Sequence, residues 1–293
     1  MHRVSIIGAG VVGTAIGFLL RERGYCIVGI GSRTQKSAEK AREFIGEGEP
    51  STDLAAIAKR ADVVFITTSD SAIEEVCKKI ASEEGFNPSA IVFHMSGALS
   101  SEILRTARNC GAYVASLHPL QSLANLKEAV ENIPGSYFCL EGDEAALSVA
   151  KKIVYSLEGK EITIGVDKKP LYHAGASVAS NFLVATIGFA LELFEAAGIS
   201  KEDSLNALMP LIKGTIKNIE SLHIPSALTG PISRGDTEVI EDHLKALLRE
   251  RPERIGLYTD LGKYTVKIAL EKGTITENDA EGIIALFDKY REG

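Results

Sequence analysis

The 293-residue chain has only four cysteines, at positions 26, 77, 110 and 139, and no two of them form a C-x-x-C pair. Each lies in an apolar or helical stretch. This excludes a disulfide framework and reads as reduced packing residues in a cytoplasmic chain. No cluster of histidine and cysteine has ligand spacing, so no metal site is expected. Positive charge is not in excess either: the formal net charge is -7, with acidic and basic residues interspersed. That disfavours binding to a phosphate backbone, and nucleic acid is not an expected partner. Internal repeats and low-complexity segments are absent. The opening MHRVSIIGAG starts basic and turns apolar, but glycines interrupt the run, so no secretory signal is expected. The longest uncharged run, residues 174–191, approaches membrane-span length. Ser177, Ser180, Asn181 and Thr186 lie inside it, and basic or aromatic anchors do not flank it. A helix buried in a domain or a dimer interface is expected there, with no membrane association.

What is present divides in two. Short apolar strand-like runs occur at Val4–Ile7, Cys26–Ile30, Val63–Thr67, Ala90–His94, Tyr113–Leu117, Tyr137–Leu140 and Glu161–Ile164. Helical patterns lie between most of them: Gly13–Arg23, Ser37–Ile45, Ile73–Ala81, Ser100–Arg108 and Glu144–Leu157. Strands alternating with helix-length segments predict a doubly wound, mostly parallel sheet covered on both faces, an α/β Rossmann arrangement. Past Gly165 only helices follow, roughly 168–196, 201–222, 236–249, 252–272 and 276–290, punctuated by Gly198, Pro225, Pro231 and Pro252. The expected domains are therefore 1–165, dinucleotide-binding, and 166–293, all-helical.

The first strand runs into Gly8-Ala9-Gly10-Val11-Val12-Gly13 and then a helix. This is G-x-G-x-x-G in the context that gives it meaning. The first glycine permits a tight turn, the second lets backbone approach a pyrophosphate, and the third lets helix pack on strand. Free N–H groups at the helix start attract the phosphate charge. An NAD site usually ends its second strand in Asp or Glu, which holds the ribose 2′-hydroxyl. Here that strand ends in Gly31-Ser32-Arg33-Thr34. Ser32 and Thr34 can donate hydrogen bonds, and Arg33 can pair with a 2′-phosphate. NADP is expected in preference to NAD. Ser32 or Thr34 equally suits the N-cap of the next helix.

Ligands in such a sheet sit beyond the carboxyl ends of its strands. Those ends carry Thr67-Thr68-Ser69-Asp70-Ser71, His94-Met95-Ser96-Gly97-Ala98 and His118-Pro119-Leu120-Gln121-Ser122. The first stretch can line the ribose and diphosphate, while Ser69 or Asp70 caps a helix. His94 and His118 are candidates to face one crevice, with Ser96, Gln121 and Ser122 beside them, and either imidazole could exchange a proton with a carbonyl oxygen. In the long helix, Lys169, His173, Ser177 and Asn181 recur at every fourth position and form one polar row, with Ser180 adjacent. Val178, Phe182, Leu183, Ile187 and Leu191 fall on the other faces, expected to be buried. The row either looks into a polar cavity or eases close helix packing.

The motifs His94-Met95-Ser96-Gly97, His118-Pro119-Leu120-Gln121-Ser122, Tyr172-His173-Ala174 and Ala227-Leu228-Thr229-Gly230-Pro231-Ile232-Ser233-Arg234-Gly235-Asp236 complete the pattern. A glycine-loop domain followed by helices resembles the superfamily of 6-phosphogluconate dehydrogenase, the β-hydroxyacid dehydrogenases and pyrroline-5-carboxylate reductase. The finer resemblance is to Rossmann-like NADP oxidoreductases that carry a C-terminal domain of unknown function, DUF2520, and it spans nearly the whole chain. It implies a homodimer packed through the helical domains. The β-hydroxyacid dehydrogenases carry a catalytic Lys four residues before an Asn. If Asn181 matches that Asn, Ser177 stands where the Lys would be, a departure from ordinary hydroxyacid oxidation. Lys169 and His173 lie two turns and one turn earlier. In the Gly230-Pro231 loop, Arg234 is a candidate clamp for a carboxylate or phosphate, and Asp236 can orient it or cap the following helix.

The expected function is hydride transfer between a nicotinamide and a small, anionic carbonyl, imine or hydroxyl compound. His173 or His118 would handle the proton, and Asn181 and Ser177 would orient the substrate. His94, Ser96, Gln121, Ser122, Lys169, Arg234 and Asp236 would contact it. Gly8, Gly10, Val11, Val12, Gly13, Ser32, Arg33, Thr34, Thr67, Thr68 and Ser69 would hold the cofactor. A non-catalytic NADP-binding sensor or scaffold is the alternative, and a deazaflavin reductase would share the loop.

Overall fold

The computed structural model describes residues 2–292. It forms two compact units that divide after Phe182. The first contains eight strands: β1 Arg3–Ile7, β2 Cys26–Gly31, β3 Glu49–Ser51, β4 Val63–Ile66, β5 Ile91–His94, β6 Tyr113–Pro119, β7 Tyr137–Gly142 and β8 Lys160–Thr163. Its helices are α1 Val11–Glu22, α2 Gln35–Ile45, α3 Leu54–Lys59, α4 Asp70–Ser82, α5 Arg105–Asn109, α6 Leu126–Asn132, α7 Glu144–Ser156 and α8 Lys169–Ser177. The strands form one sheet in the order β3-β2-β1-β4-β5-β6-β7-β8. All neighbours are parallel except β6 and β7, which run antiparallel.

Two apolar layers sandwich this sheet. One face packs Val4, Ile6, Phe65, Phe93 and Leu117 against Ile16 and Leu20 of α1 and Ile153 of α7. The other packs Ile7, Val64, Ile66, Val92 and Val114 against Ile57, Ile73, Cys77 and Ile80. Alternation along each strand explains the split, since successive side chains point to opposite faces. Strands covered on both sides read as unbroken apolar runs, which is why the sequence shows them so clearly. All four cysteines are free thiols, Cys77 and Cys139 buried and Cys26 and Cys110 half-buried.

The first unit extends past the boundary expected at residue 165, because α8 belongs to it. Lys169 of α8 is fully buried and donates from Nζ to Ser116 Oγ of β6 at 2.6 Å. After Ser177 the helix does not continue in α geometry. Val178–Phe182 is a π-helical turn. It interrupts the four-residue spacing that would have kept Asn181 in line with His173 and Ser177.

The second unit is helical: α9 Leu183–Ala196, α10 Lys201–Leu222, α11 Thr237–Glu250, α12 Ile255–Lys272 and α13 Glu277–Glu292. Ile240 and Leu244 of α11, Val266 and Ala269 of α12, and Ile283 and Phe287 of α13 form its core. Gly262 permits the α12–α13 approach: a Cβ there would lie 2.4 Å from Phe287 Cζ. Arg254 holds Glu192 through two nitrogens, at 2.6 and 3.0 Å.

The segment Val166–Ala196 is long and apolar enough to cross a membrane by length and composition. Its apolar positions do not become buried within the single chain as expected. Val178, Phe182 and Leu183 are exposed, and Ile187 and Leu191 are only half-buried.

Phe65 sits at the centre of the sheet core, 5.2 Å from the Phe93 ring centroid. Phe65→Ala is expected to lower unfolding free energy by roughly 3–5 kcal/mol, the cost of an unfilled core position. Urea denaturation measures it, and a loss below about 1 kcal/mol would contradict this packing.

Candidate active site

The glycine loop forms the first half of the site. Gly8 has φ +123, a left-handed conformation, and a Cβ on it would lie 2.6 Å from the Thr67 carbonyl carbon. At Gly13 an added Cβ would lie 2.1 Å from Gly8 O and 2.3 Å from Thr67 Oγ1. Thr67 Oγ1 donates to Gly8 O at 2.8 Å and locks the turn between β1 and β4. At Gly10, by contrast, nothing lies within 4 Å of where a Cβ would be, so this backbone is open to a ligand. Gly10 is also the N-cap of α1 and makes no side-chain cap, which leaves the helix's first N–H groups, at Val11, Val12 and Gly13, without a side-chain acceptor.

A cavity of about 330 Å³ opens above this loop. Gly8, Gly10, Gly31, Ser32, Arg33, Thr67, Thr68 and Ser69 all line it. Thr68 Oγ1 is buried without a hydrogen-bond partner, an acceptor or donor left for something that enters the groove. Arg33 is exposed at the end of β2, and no ion pair engages it among the described residues. No carboxylate follows β2, so the groove presents a cation where an acid would hold a 2′-hydroxyl. Thr34 is not part of the lining. It caps α2, accepting from Ser37 N at 3.2 Å, so here the capping role is the one observed. These residues fit a dinucleotide.

The second half lies on the same edge of the sheet. Strand register places His94 beside Ser116, and Ser116 beside Glu141; His118 sits beside Cys139. Alternation puts all five on one face, at the carboxyl end of the apolar column that includes Val92 and Val114. Lys169 descends onto this polar row from α8. Ser116 accepts from the ammonium and donates to the Ser96 carbonyl at 3.4 Å. Glu141 is fully buried and accepts from Ser101 N at 2.6 Å and Ser101 Oγ at 2.8 Å. Burial lifts the Glu141 carboxyl above its ordinary range, opposed by the Ser101 bonds and the Lys169 charge. Burial also lowers the Lys169 ammonium.

The histidines respond to the same charge. His94 is fully buried, and desolvation, with Lys169 second, pushes it down to about 3. His118 falls to about 4 for the same causes, with His173 adding to them. Its Nδ1 lies 2.9 Å from the Tyr172 hydroxyl, and the Tyr172 ring meets it edge-on. The His173 ring also lies edge-on to His118, with centroids 6.4 Å apart. Gly97 separates them. A Cβ on Gly97 would lie 2.7 Å from His173 Nδ1 and 2.8 Å from His118 Nε2. Two imidazole nitrogens thus pack against Gly97, where only a glycine fits. His173 Nδ1 is buried with no partner.

Several expected contacts are corrected by this geometry. Lys169 is sealed beneath the site, because its side chain runs down onto the sheet. His94 is likewise a support: its Nδ1 accepts from Ser96 N at 3.2 Å. Ser96 is 6% exposed and organises its own loop, donating to Asp70 at 2.8 Å and accepting from Ala98 N and Leu99 N. Gln121 is turned to Asn132 O and Ser136 Oγ, each at 3.3 Å, and its Oε1 accepts from Ser122 N, so neither Gln121 nor Ser122 joins the histidines. Asn181 and Ser180 are exposed on the π turn, while Ser177 remains in α8, one turn from His173. In the second unit, Asp236 caps α11 through Val239 N and lies 3.9 Å from Arg234, which is exposed. Among the described residues no group of three or more His, Cys, Asp or Glu could hold a metal.

Reading the sequence missed Tyr172, Gly97, Ser116, Cys139 and Glu141. Each left a signal. Ser116 shares His118's face two residues earlier, Glu141 is a carboxylate in an apolar strand, and Tyr172 adjoins His173.

Residues 136–265 match the domain of unknown function DUF2520, and residues 1–119 match a Rossmann-like domain. Together the two matches span most of the chain. Solved structures share the arrangement. Protein TM1727 from Thermotoga maritima is 28% identical, with 92% of this chain and 99% of that one covered at a TM-score of 0.72. A Bacteroides fragilis protein named provisionally as an NADP oxidoreductase is 24% identical, covering 91% and 98% at 0.71. A pyrroline-5-carboxylate reductase from Coxiella burnetii, 15% identical, has the same fold over 96% and 98% at 0.60. No curated protein sequence matches the chain.

The depressed histidines have a measurable consequence. Both rings protonate in the unfolded chain near 6.5 but resist protonation when folded. Between those values the unfolded state binds more protons, so their contribution to stability is complete above about pH 6.5 and declines as pH falls through the window. Imidazole NMR shifts of His94 and His118 are expected to stay flat from about pH 8 to about pH 5. A midpoint above about pH 6 for either ring would contradict the buried cluster.

Proposed function

We propose that this protein is an NADP-dependent oxidoreductase that transfers hydride between the nicotinamide and a small carbonyl, imine or hydroxyl compound. The observation that carries this reading is the convergence of His118 and His173 over Gly97, on the sheet edge that also bears the glycine-loop cavity. Bound cofactor supplies the hydride. The chain supplies placement and a proton, and in such a reaction positioning and electrostatics are the protein's share. When hydride reaches the carbon of a C=X group, a proton must reach X. The two imidazoles are the groups of this edge able to exchange that proton.

Support for NADP comes from Arg33, an unengaged cation in the cavity wall, with Ser32 beside it. A guanidinium pairs with a phosphate through two parallel hydrogen bonds, which a free ribose hydroxyl cannot match. The name given to the B. fragilis relative agrees. The exposed apolar positions Val178, Phe182, Leu183 and Val184 support a homodimer formed through this segment. Free thiols fit a cytoplasmic setting.

A second reading has one observation in its favour. Lys169 is sealed within the first unit, and the position one turn after His173 is Ser177 rather than a lysine. A sensor that binds NADP without turnover would need none.

Two outcomes test these readings. Arg33→Ala should weaken NADPH binding at least about tenfold while changing NADH binding little, and equal losses by calorimetry would sink the 2′-phosphate assignment. With NADPH and panels of 2-keto acids, imines and aldehydes, the wild type should turn over at least one class. His173→Ala should lower kcat by roughly 100-fold or more with cofactor affinity unchanged. Tight NADPH binding without turnover on any panel would favour the sensor.

A further inference from the structure

The second unit holds a cavity of its own, which shares no lining residue with the glycine loop or the histidines. It measures about 420 Å³, within the roughly 300–1,000 Å³ typical of small-molecule sites. Leu193 and Ala196 of α9, Ala246 and Leu247 of α11 and the Tyr258 ring of α12 wall it. The space exists because Ala196 and Ala246, on different helices, leave it unfilled. Its walls are held from behind. Arg254 clamps Glu192, the neighbour of Leu193, through two hydrogen bonds. The Tyr258 ring meets the core ring of Phe287 edge-on, with centroids 6.4 Å apart, and Leu247 is buried. Walls held in this way give a largely pre-formed apolar space.

The polar groups around the cavity satisfy one another, with one exception. His243 Nδ1 lies 2.8 Å from the Tyr258 hydroxyl. Arg249 Nε donates to Glu250 Oε1 at 2.8 Å. Arg251 donates from Nη1 to the Glu250 carbonyl at 2.9 Å, and no carboxylate pairs with it among the described residues. It is half-buried, so its remaining N–H groups are partly withdrawn from water. Two guanidiniums thus line the cavity against one carboxylate, in a chain whose net charge is -7. A guanidinium carries five donors in a fixed fork, and a carboxylate is the acceptor whose two oxygens match it. An apolar body with a carboxylate at one end is the chemistry that completes this cavity.

We propose that the cavity among α9, α11 and α12 is a binding site for a small amphipathic carboxylate. Its chain or ring lies against Leu193, Ala246, Leu247 and Tyr258, and its anionic head on Arg251. This assignment goes beyond the oxidoreductase reading and does not rest on it. A second copy of the chain suits the cavity less well. The exposed apolar positions that support a homodimer, Val178, Phe182, Leu183 and Val184, lie more than two helical turns before Leu193.

NMR titration of the full-length protein with octanoate and with 2-naphthoate tests this, followed at the Ala246 methyl and the Tyr258 ring. At least one acid should shift those signals saturably, with a Kd of about 1 mM or tighter. The uncharged amide of that acid should bind at least about tenfold more weakly. Arg251→Gln should weaken the acid at least about tenfold and leave the amide where it was. Ala246→Phe should fill the space and abolish binding of both. No saturable shift with either acid up to about 10 mM, shifts confined to other residues, an amide as tight as its acid, or an acid indifferent to Arg251→Gln would each overturn the proposal. Sedimentation examines the rival occupant: if the unliganded protein is a dimer that Ala246→Phe turns into a monomer, a second copy fills the cavity and the proposal falls. If Ala246→Phe does not fold, the acid–amide comparison and Arg251→Gln decide by themselves.

Discussion

One buried charge organises the first unit. An ammonium removed from water costs several kcal/mol unless its partners compensate. Lys169 reaches zero exposure with Ser116 as its hydrogen-bond acceptor and the Glu141 carboxyl one strand further across the sheet. That arrangement can persist only if three strands hold their register. A shift of one residue in β6 would turn Ser116 to the opposite face and set Ala115 or Leu117 against the ammonium. The cost of such a slip is therefore electrostatic as well as hydrophobic. Burial first and the same charge second lower the proton affinity of His94 and His118, which also lie on this face. A single lysine thus ties together helix docking, strand register and the protonation state of the cluster.

The groove and the cluster are products of one topology. Chain order reverses direction across the sheet between β1 and β4, where a crevice forms beyond the carboxyl ends. Gly8, Gly13 and Thr67 close that crossover so tightly that no side chain fits at either glycine. Successive parallel strands β4, β5 and β6 then deliver their ends to the same edge. Each end adds a loop: the threonines after β4, Gly97 after β5, and His118 in the last turn of β6. β7 breaks the pattern by running antiparallel, and that reversal is what sets Cys139 and Glu141 next to His118 and Ser116.

Much of this was legible before any coordinates. The apolar strands, the long helices of the second unit and the glycine loop were all visible, because each has a strong local pattern. β3 escaped notice: it has three residues, one of them Pro50, and earns its place only by pairing with β2. The short helices α3 and α6 were missed for a similar reason, having too few turns to show a period. The misreading of Lys169 is more instructive. Four-residue spacing correctly put Lys169, His173 and Ser177 on one stripe of α8. Spacing cannot say how deep each member lies, and depth came from the strand beneath. The π turn then moved Asn181 away from that stripe, a change of helical geometry with no signature in the residue pattern. Gly97 was quoted within its motif and given no task, since a glycine's role appears only when its neighbours' side chains are placed.

The relocation of the lysine has a chemical consequence. A side-chain ammonium that touches substrate is both a donor and a full positive charge, whereas a neutral imidazole offers one donor and one acceptor nitrogen and no net charge. Here the charge sits below the site and the donors sit within it. In the proposed reaction the buried ammonium acts on the imidazoles beside it and not on substrate directly. No competing cation then sits where a carboxylate elsewhere on the substrate could capture it. Selection for the reacting group would then come from the geometry of two ring nitrogens. Because those nitrogens are anchored on a strand and on a helix rather than on loops, that geometry is as rigid as the sheet itself.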